Sequence, residues 1–347
     1  MNYGKLVNLG NEAAVFIAEA GINHDGSLQT AKKMIDAAVF SKADYVKFQS
    51  FVADKLVTPD ALTSSYINQG SYDGESYRDL LRRLQLSKED QAELKRYCDN
   101  KNIGFLSTAF DRESFDELLD LGIDFVKVAS GELTNIPLLR YMAKARLPMV
   151  VSTGMAALDE IKEALTAITQ EGNNRIILMH CICWYPAEIE DTNLNYMQTL
   201  RKKFGFPVGF SDHSLGINMS LAARVLGAVM VEKHFTLNAK QFGPDHSASI
   251  EPSQMKQLVK GIREIELGLG TSERKFCEKE LEQRKVHRKS IVVKKAIKAG
   301  EIFTRDNLII KRPGIGIEPK HWDKVLGRAA NKDLEPEQLL SWADLAK

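Results

Sequence analysis

Cysteine is scarce in this chain: four in 347 residues, Cys98, Cys181, Cys183 and Cys277, with no CxxC pair among them. That scarcity points to a cytoplasmic, reduced protein rather than a disulfide framework. Charge of one sign is missing too, since 47 Lys and Arg against 46 Asp and Glu leave a formal net charge of +1. With no stripe of Lys and Arg interleaved with aromatics, neither nucleic acid nor an anionic membrane is expected as a partner. No apolar run reaches bilayer-spanning length, and MNYGKLVNLGNEAAVFIAEAG at the start lacks the basic-then-apolar order of a signal peptide. No strand-like run is followed by a GxGxxG turn, which disfavours a doubly wound open sheet. A small metabolite is the partner these absences leave.

What is present is alternation. Short apolar or β-branched runs at 15–21, 44–51, 103–110, 124–132, 148–154, 175–184, 207–213 and 228–237 are separated by segments of helical period, such as SLQTAKKMIDAAVFS and LDEIKEALTAITQEG. Eight strands, each followed by a helix, predict an α/β fold of the (β/α)8 TIM-barrel type over residues 1–272. The second strand-to-helix connection, VADKLVTPDALTSSYINQGSYDGES, is long and aperiodic, as connections that cover a site often are. Residues 273–289 are charge-dense and read as a linker. Residues 290–347, with short strand-like runs punctuated by Gly and Pro, read as a small β-rich second domain.

Chemistry in such a barrel sits at the C-terminal ends of the strands. Glu19, Lys47, Thr108, Lys127, Ser130, Glu132, Ser152, the segment His180–Tyr185, Ser211, His213 and Glu232-Lys233-His234 all stand at strand ends. Each alone is explained as a solvated terminus or a structural ion pair; together they predict one site. Lysines with hydroxyls and a Ser-Thr-Gly turn suit a small dianion. His213 and His234 on neighbouring strands suit a shared divalent ion, and equally a helix cap and a core histidine. Glu19 suits a general base, and equally a partner for a rim lysine.

In order along the chain, IAEAGINHDGS, VKFQ, FLSTAFD, KVASGE, VSTGM, FSDHSLG, EKHFTL and GPDHSASIEP resemble the sialic acid synthase family. KAIKAGEIFTRDNLIIKRPG and GRAANKDLEPEQLL resemble its C-terminal antifreeze-like (SAF) domain. The resemblance implies condensation of phosphoenolpyruvate (PEP) with an open-chain N-acetylmannosamine-type sugar, aided by Mn2+ or by Mg2+ or Co2+, with release of phosphate. It implies His213 and His234 as metal ligands, Lys47, Thr108, Lys127, Ser130, Ser152 and Ser211 on PEP, and Glu19 acting on the incoming water. Glu132, Tyr185 and Asp245 would hold the sugar. Arg312 would reach a neighbouring subunit's barrel in a domain-swapped homodimer, with 273–289 as the arm.

Two other readings compete. Lys47, Lys127 and Lys233 would suit a Schiff-base aldolase on the same barrel; a non-catalytic sugar- or ice-binding protein would need none of the rim residues. The sugar itself is left open between N-acetylmannosamine and 6-deoxy 2,4-diacetamido hexoses. HCICWYP at 180–186 departs from a family pattern resembling HCT-x-x-YP, placing Cys183 where a polar residue is usual. Cys181 is expected to be a packing thiol, and Cys183 with Trp184 a less polar wall of the sugar pocket.

Overall fold

The computed structural model describes residues 13–62 and 75–346. Residues 1–12, and residues 63–74 within the aperiodic stretch of the second connection, lie outside the described residues. Eight parallel strands close into a barrel in sequence order: β1 (Val15–Gly21), β2 (Tyr45–Ser50), β3 (Gly104–Ala109), β4 (Val126–Val128), β5 (Met149–Ser152), β6 (Ile176–His180), β7 (Val208–Asp212) and β8 (Met230–His234). β8 pairs back onto β1, bringing Glu19 beside His234 as well as beside Lys47 of β2.

Alternation along each strand sorts the side chains. One face carries Phe16, Ala18, Val46, Phe48, Val126, Val151, Leu178 and Phe210 onto the surrounding helices. Those helices are built as the sequence dictates: in Leu28–Phe40 the buried residues are Ala31, Met34, Ile35 and Ala38, one stripe of helical spacing. Ser27 caps that helix by accepting a hydrogen bond from the Thr30 amide, and Ser87 with Asp90 forms a capping box on Lys88–Lys101. The other strand face fills the barrel. Its lower layer is apolar, with Ile17, Tyr45, Leu106, Phe125, Val150 and Ile177 in one buried cluster. Two residues further along, the same strands present Glu19, Lys47, Thr108, Lys127 and Ser152, all buried. The period of two thus stacks a layer of ionisable and hydroxyl groups on an apolar plug.

Two strands are shorter than their apolar runs suggest. β4 stops at Val128 and Ser130–Glu132 turns in a 3₁₀ helix, where Ser130 Oγ accepts from the Gly154 amide. β6 stops at His180, so Cys181 to Trp184 leave the barrel wall.

Thr271 opens a second compact unit. The segment expected to be a plain linker contains a helix, Glu278–His287, with no buried residue. Its Glu, Lys, Gln and Arg content favours helix without an apolar stripe, and acids in the first turn with bases in the last complement the helix dipole. Beyond it, β9 (Ser290–Val293) and β10 (Leu308–Lys311) pair antiparallel over a core that includes Ile291, Val293, Phe303 and Leu308.

Candidate active site

At the C-terminal mouth of the barrel lies a cavity of about 440 Å³. Its floor is the polar layer. Lys47 Nζ lies 2.8 Å from Glu19 Oε2 and donates to Thr108 Oγ1 at 2.9 Å. Lys127 Nζ donates to Ser152 Oγ at 2.7 Å. Between the two ammoniums sits Glu232, whose Oε1 is 3.8 Å from Lys47 and 3.6 Å from Lys127 and accepts from Ser211 Oγ at 3.1 Å. Sequence reasoning gives Glu232 no role, although its alternation with His234 turns both inward.

Burial and these neighbours set the charges. For Glu19, the cost of burying a carboxylate outweighs the attraction of Lys47, Glu232 adds repulsion, and the group is pushed up to about 7. Burial also works against Glu232, but Lys127 and Lys47 prevail and hold it below the usual carboxylate range. Burial lowers Lys127, whereas Glu19 and Glu232 overcome the same cost at Lys47 and raise it. The two carboxylates are therefore driven apart, one poised to exchange a proton and one held as a counter-ion.

His213 and His234 face each other with ring centroids 5.5 Å apart, and the Tyr185 ring lies 4.2 Å from that of His213. His213 Nδ1 donates a hydrogen bond to the Ile182 carbonyl oxygen at 2.6 Å, which keeps the proton on Nδ1 and leaves Nε2 with the lone pair. Among the described residues Nδ1 of His234 is buried with no hydrogen-bond partner, and Asp245 Oδ2 lies 3.6 Å from it. Burial pushes both imidazoles down, His234 further because His213 and Lys47 also disfavour its positive form. Beside them Asp245 is raised by burial to about 6.

Glu19, Lys47, Thr108, Lys127, Ser130, Ser152, Cys183, Tyr185, Ser211, His213, His234 and Asp245 all line this one cavity. Glu132 does not: its Oε2 accepts from Asn135 Nδ2 at 2.7 Å on the following helix start. Arg312 belongs to the second unit, where its Nε donates to the His287 carbonyl. Trp184 is 48% exposed and is not part of the lining, so the expected Cys183–Trp184 wall is reduced to Cys183. His180 and Lys233 stand one residue out of phase with the lining and face away from it. His180 Nε2 is 2.7 Å from the Thr192 carbonyl, and Lys233 Nζ lies 2.9 Å from Asp212 Oδ2. The sequence also missed one side of the cavity, where Ile22, Tyr77, Leu80, Leu81, Leu84 and Phe110 make an apolar wall. Four of them lie in helix Tyr77–Leu84, whose leucine spacing was the available signal.

Residues 34–274 match the NeuB family and residues 288–346 the SAF domain. The chain is 43% identical over 328 residues to the N,N'-diacetyllegionaminic acid synthase of Campylobacter jejuni, covering 94% of this chain and 98% of that one. It is 40% identical to the synthase of the same name from Legionella pneumophila, covering 94% and 93%. Among solved structures, the N-acetylneuraminic acid (sialic acid) synthetase of Leptospira borgpetersenii in complex with citrate superposes with a TM-score of 0.69 at 33% identity, over 79% of this chain and 90% of that one. With a closed barrel, a rim of this composition and relatives matched over nearly their whole length, the chain belongs to the NeuB family, the sialic-acid-type synthases, and carries an SAF domain.

Proposed function

We propose that this enzyme condenses PEP with the open-chain form of an N-acetylated aldose, giving a nine-carbon 2-keto sugar acid and phosphate. The observation that carries this reading is the convergence, in one cavity, of two buried ammoniums clamped by hydroxyls, a neutral histidine pair, and a carboxylate raised to about 7. Lys47 and Lys127 hold the anionic groups of PEP as point charges, with Thr108, Ser130, Ser152 and Ser211 completing the shell. So held, C3 of PEP attacks the aldehyde carbon, and water adds to the cationic C2. Glu19 takes a proton from that water, and the hemiketal phosphate collapses by C–O cleavage. Tyr185 and Asp245 face the sugar's hydroxyl and acetamido groups.

The histidine pair fits a divalent ion, Mn2+ or else Mg2+ or Co2+: both rings are kept neutral, His213 is oriented through its far nitrogen, and His234 Nδ1 has no hydrogen-bond partner among the described residues. Bound to His213 and His234, such an ion would polarise the sugar's carbonyl oxygen. A coupled phosphate-release assay with PEP and each candidate sugar, with and without chelator, tests the reading. Release is expected to need the sugar and to stop on chelation; an unchanged rate after chelation removes the ion. Borohydride with pyruvate is expected to leave every lysine unmodified, and a trapped lysine adduct would favour the aldolase reading instead.

The apolar wall favours a 6-deoxy 2,4-diacetamido hexose over N-acetylmannosamine, because a methyl and a second acetyl gain from contact with Leu80, Leu81 and Phe110 where a hydroxyl would lose hydration. The legionaminic acid synthases among its relatives agree. Leu81→Asn should cut kcat/KM for the diacetamido sugar about tenfold relative to N-acetylmannosamine. Equal losses on both sugars would put the discriminating contact elsewhere. The same reading expects a cytoplasmic homodimer in which Arg312 reaches the partner's sugar site. Sedimentation as a monomer, or an unchanged sugar KM in Arg312→Ala, would count against that assembly.

A further inference from the structure

Cys181 and Cys183 belong to no step proposed above. They stand two residues apart where the chain leaves β6, and both sulfurs converge on one point. A methyl group built on Gly154 would lie 2.4 Å from Cys183 Sγ and 2.9 Å from Cys181 Sγ. Glycine at 154 therefore leaves the space that the two sulfurs share. Ser130 Oγ lies 3.1 Å from Cys181 Sγ at the same point. The two differ in access. Both line the cavity, but Cys181 is buried whereas Cys183 is half-buried, on the side of Lys127. A reachable thiol near a cation, backed by a sheltered second thiol, is the arrangement of an attacking and a resolving cysteine.

We propose that Cys181 and Cys183 are an oxidisable dithiol that closes to a disulfide and reversibly shuts this active site. With hydrogen peroxide as oxidant, the Cys183 thiolate sulfur attacks one peroxide oxygen, the O–O bond breaks, and the departing hydroxide takes up a proton as water. Cys183 is left as a sulfenic acid. The Cys181 sulfur then attacks the Cys183 sulfur, the S–O bond breaks, and a second water leaves with the thiol proton. Two thiols lose two electrons and one peroxide becomes two waters. Drawing Cys183 toward Cys181 displaces the corner where Ser130 bonds to both Cys181 and the Gly154 amide, within the shell that holds the anionic substrate.

The remaining thiols do not share this arrangement. Cys98 is buried in a helix with its thiol pushed up to about 12 by burial, and Cys277 is exposed in the second unit. Both cysteines of the pair fall in one tryptic peptide, Ile176–Arg201, which holds no other cysteine. The full-length enzyme, reduced and then treated with a small excess of peroxide, is alkylated and mapped by mass spectrometry. The expected peptide is about 2 Da lighter than the reduced one and carries no alkyl group. Phosphate release should fall at least about tenfold in step and return with dithiothreitol. Cys277→Ser should respond as the parent does. In Cys181→Ala, peroxide should instead carry Cys183 to a sulfinic acid that dithiothreitol does not reverse. Both thiols remaining alkylatable at a dose that abolishes activity would overturn the proposal, as would full activity of the disulfide form. The mass readout does not depend on which sugar the enzyme uses, so failure here is distinguishable from failure of the condensation reading.

Discussion

Glu19→Gln should lose about 10²- to 10⁴-fold in kcat for phosphate release while its KM for PEP stays within a few-fold of the parent. The amide keeps the carboxylate's shape beside Lys47 but cannot take a proton. The clamps on the two lysines by Thr108, Ser152 and Glu232 survive, so anion binding should too. The pH profile separates proton transfer from mere placement. Glu19 must be ionised to act as a base and sits at about 7, so the parent should lose rate as pH falls through that value. The variant's residual rate should lack that limb. Stability runs the other way. A carboxyl raised above its unfolded value contributes most at low pH and loses that contribution as pH rises from about 4.5 to about 7. Above pH 7, then, Glu19→Gln should unfold at no lower temperature than the parent. A loss of activity under tenfold would take the proton-transfer role away from Glu19.

How legible was this in the sequence? The barrel was, because each strand run is bounded by helical periodicity, and β1 to β8 all fall inside the expected runs. The polar layer was largely legible for the same reason: a fixed period of two carries Glu19, Lys47, Thr108, Lys127 and Ser152 inward together. The misreadings are errors of phase and of distance. Lys233 and His180 look like rim residues because they stand at strand ends, but a shift of one residue turns each to the outer face. Glu232 is in phase, yet its role emerges only from two lysines on other strands. The apolar wall was hidden because its leucines lie beyond the aperiodic connection, far in sequence from the rim they flank. No one-dimensional pattern states that Cys181 and Cys183 share the space above Gly154, since strand 5 and the end of strand 6 meet only in the folded barrel.

The outward phase of Lys233 leads to the largest expected stability effect. Asp212→Ala should destabilise the protein by roughly 3–5 kcal/mol, a fall of about 10 °C in Tm. Lys233 is fully buried between the strands and the helices, and Asp212 is its counter-ion at 2.9 Å. Asp212 also accepts from the Ser214 amide at 2.9 Å, from Ser214 Oγ at 2.6 Å and from Ser220 Oγ at 2.6 Å. Removing the carboxylate leaves the buried ammonium with only the Ser214 carbonyl, at 2.6 Å, and strands three donors at once. Lys233→Met should cost clearly less, because the apolar stem volume is kept and Asp212 retains all three hydrogen bonds. Denaturant unfolding of the two variants at constant m-value checks that order, and equal costs would mean that the cation rather than the hub anion governs the network. The consequence reaches the chemistry, since Asp212 lies between Ser211 and His213, which point the opposite way into the cavity. An ion pair on the outer face of β7 and β8 thereby fixes the strand ends that carry the histidine pair, so in Asp212→Ala protein that remains folded the divalent ion proposed for that pair should be held more weakly.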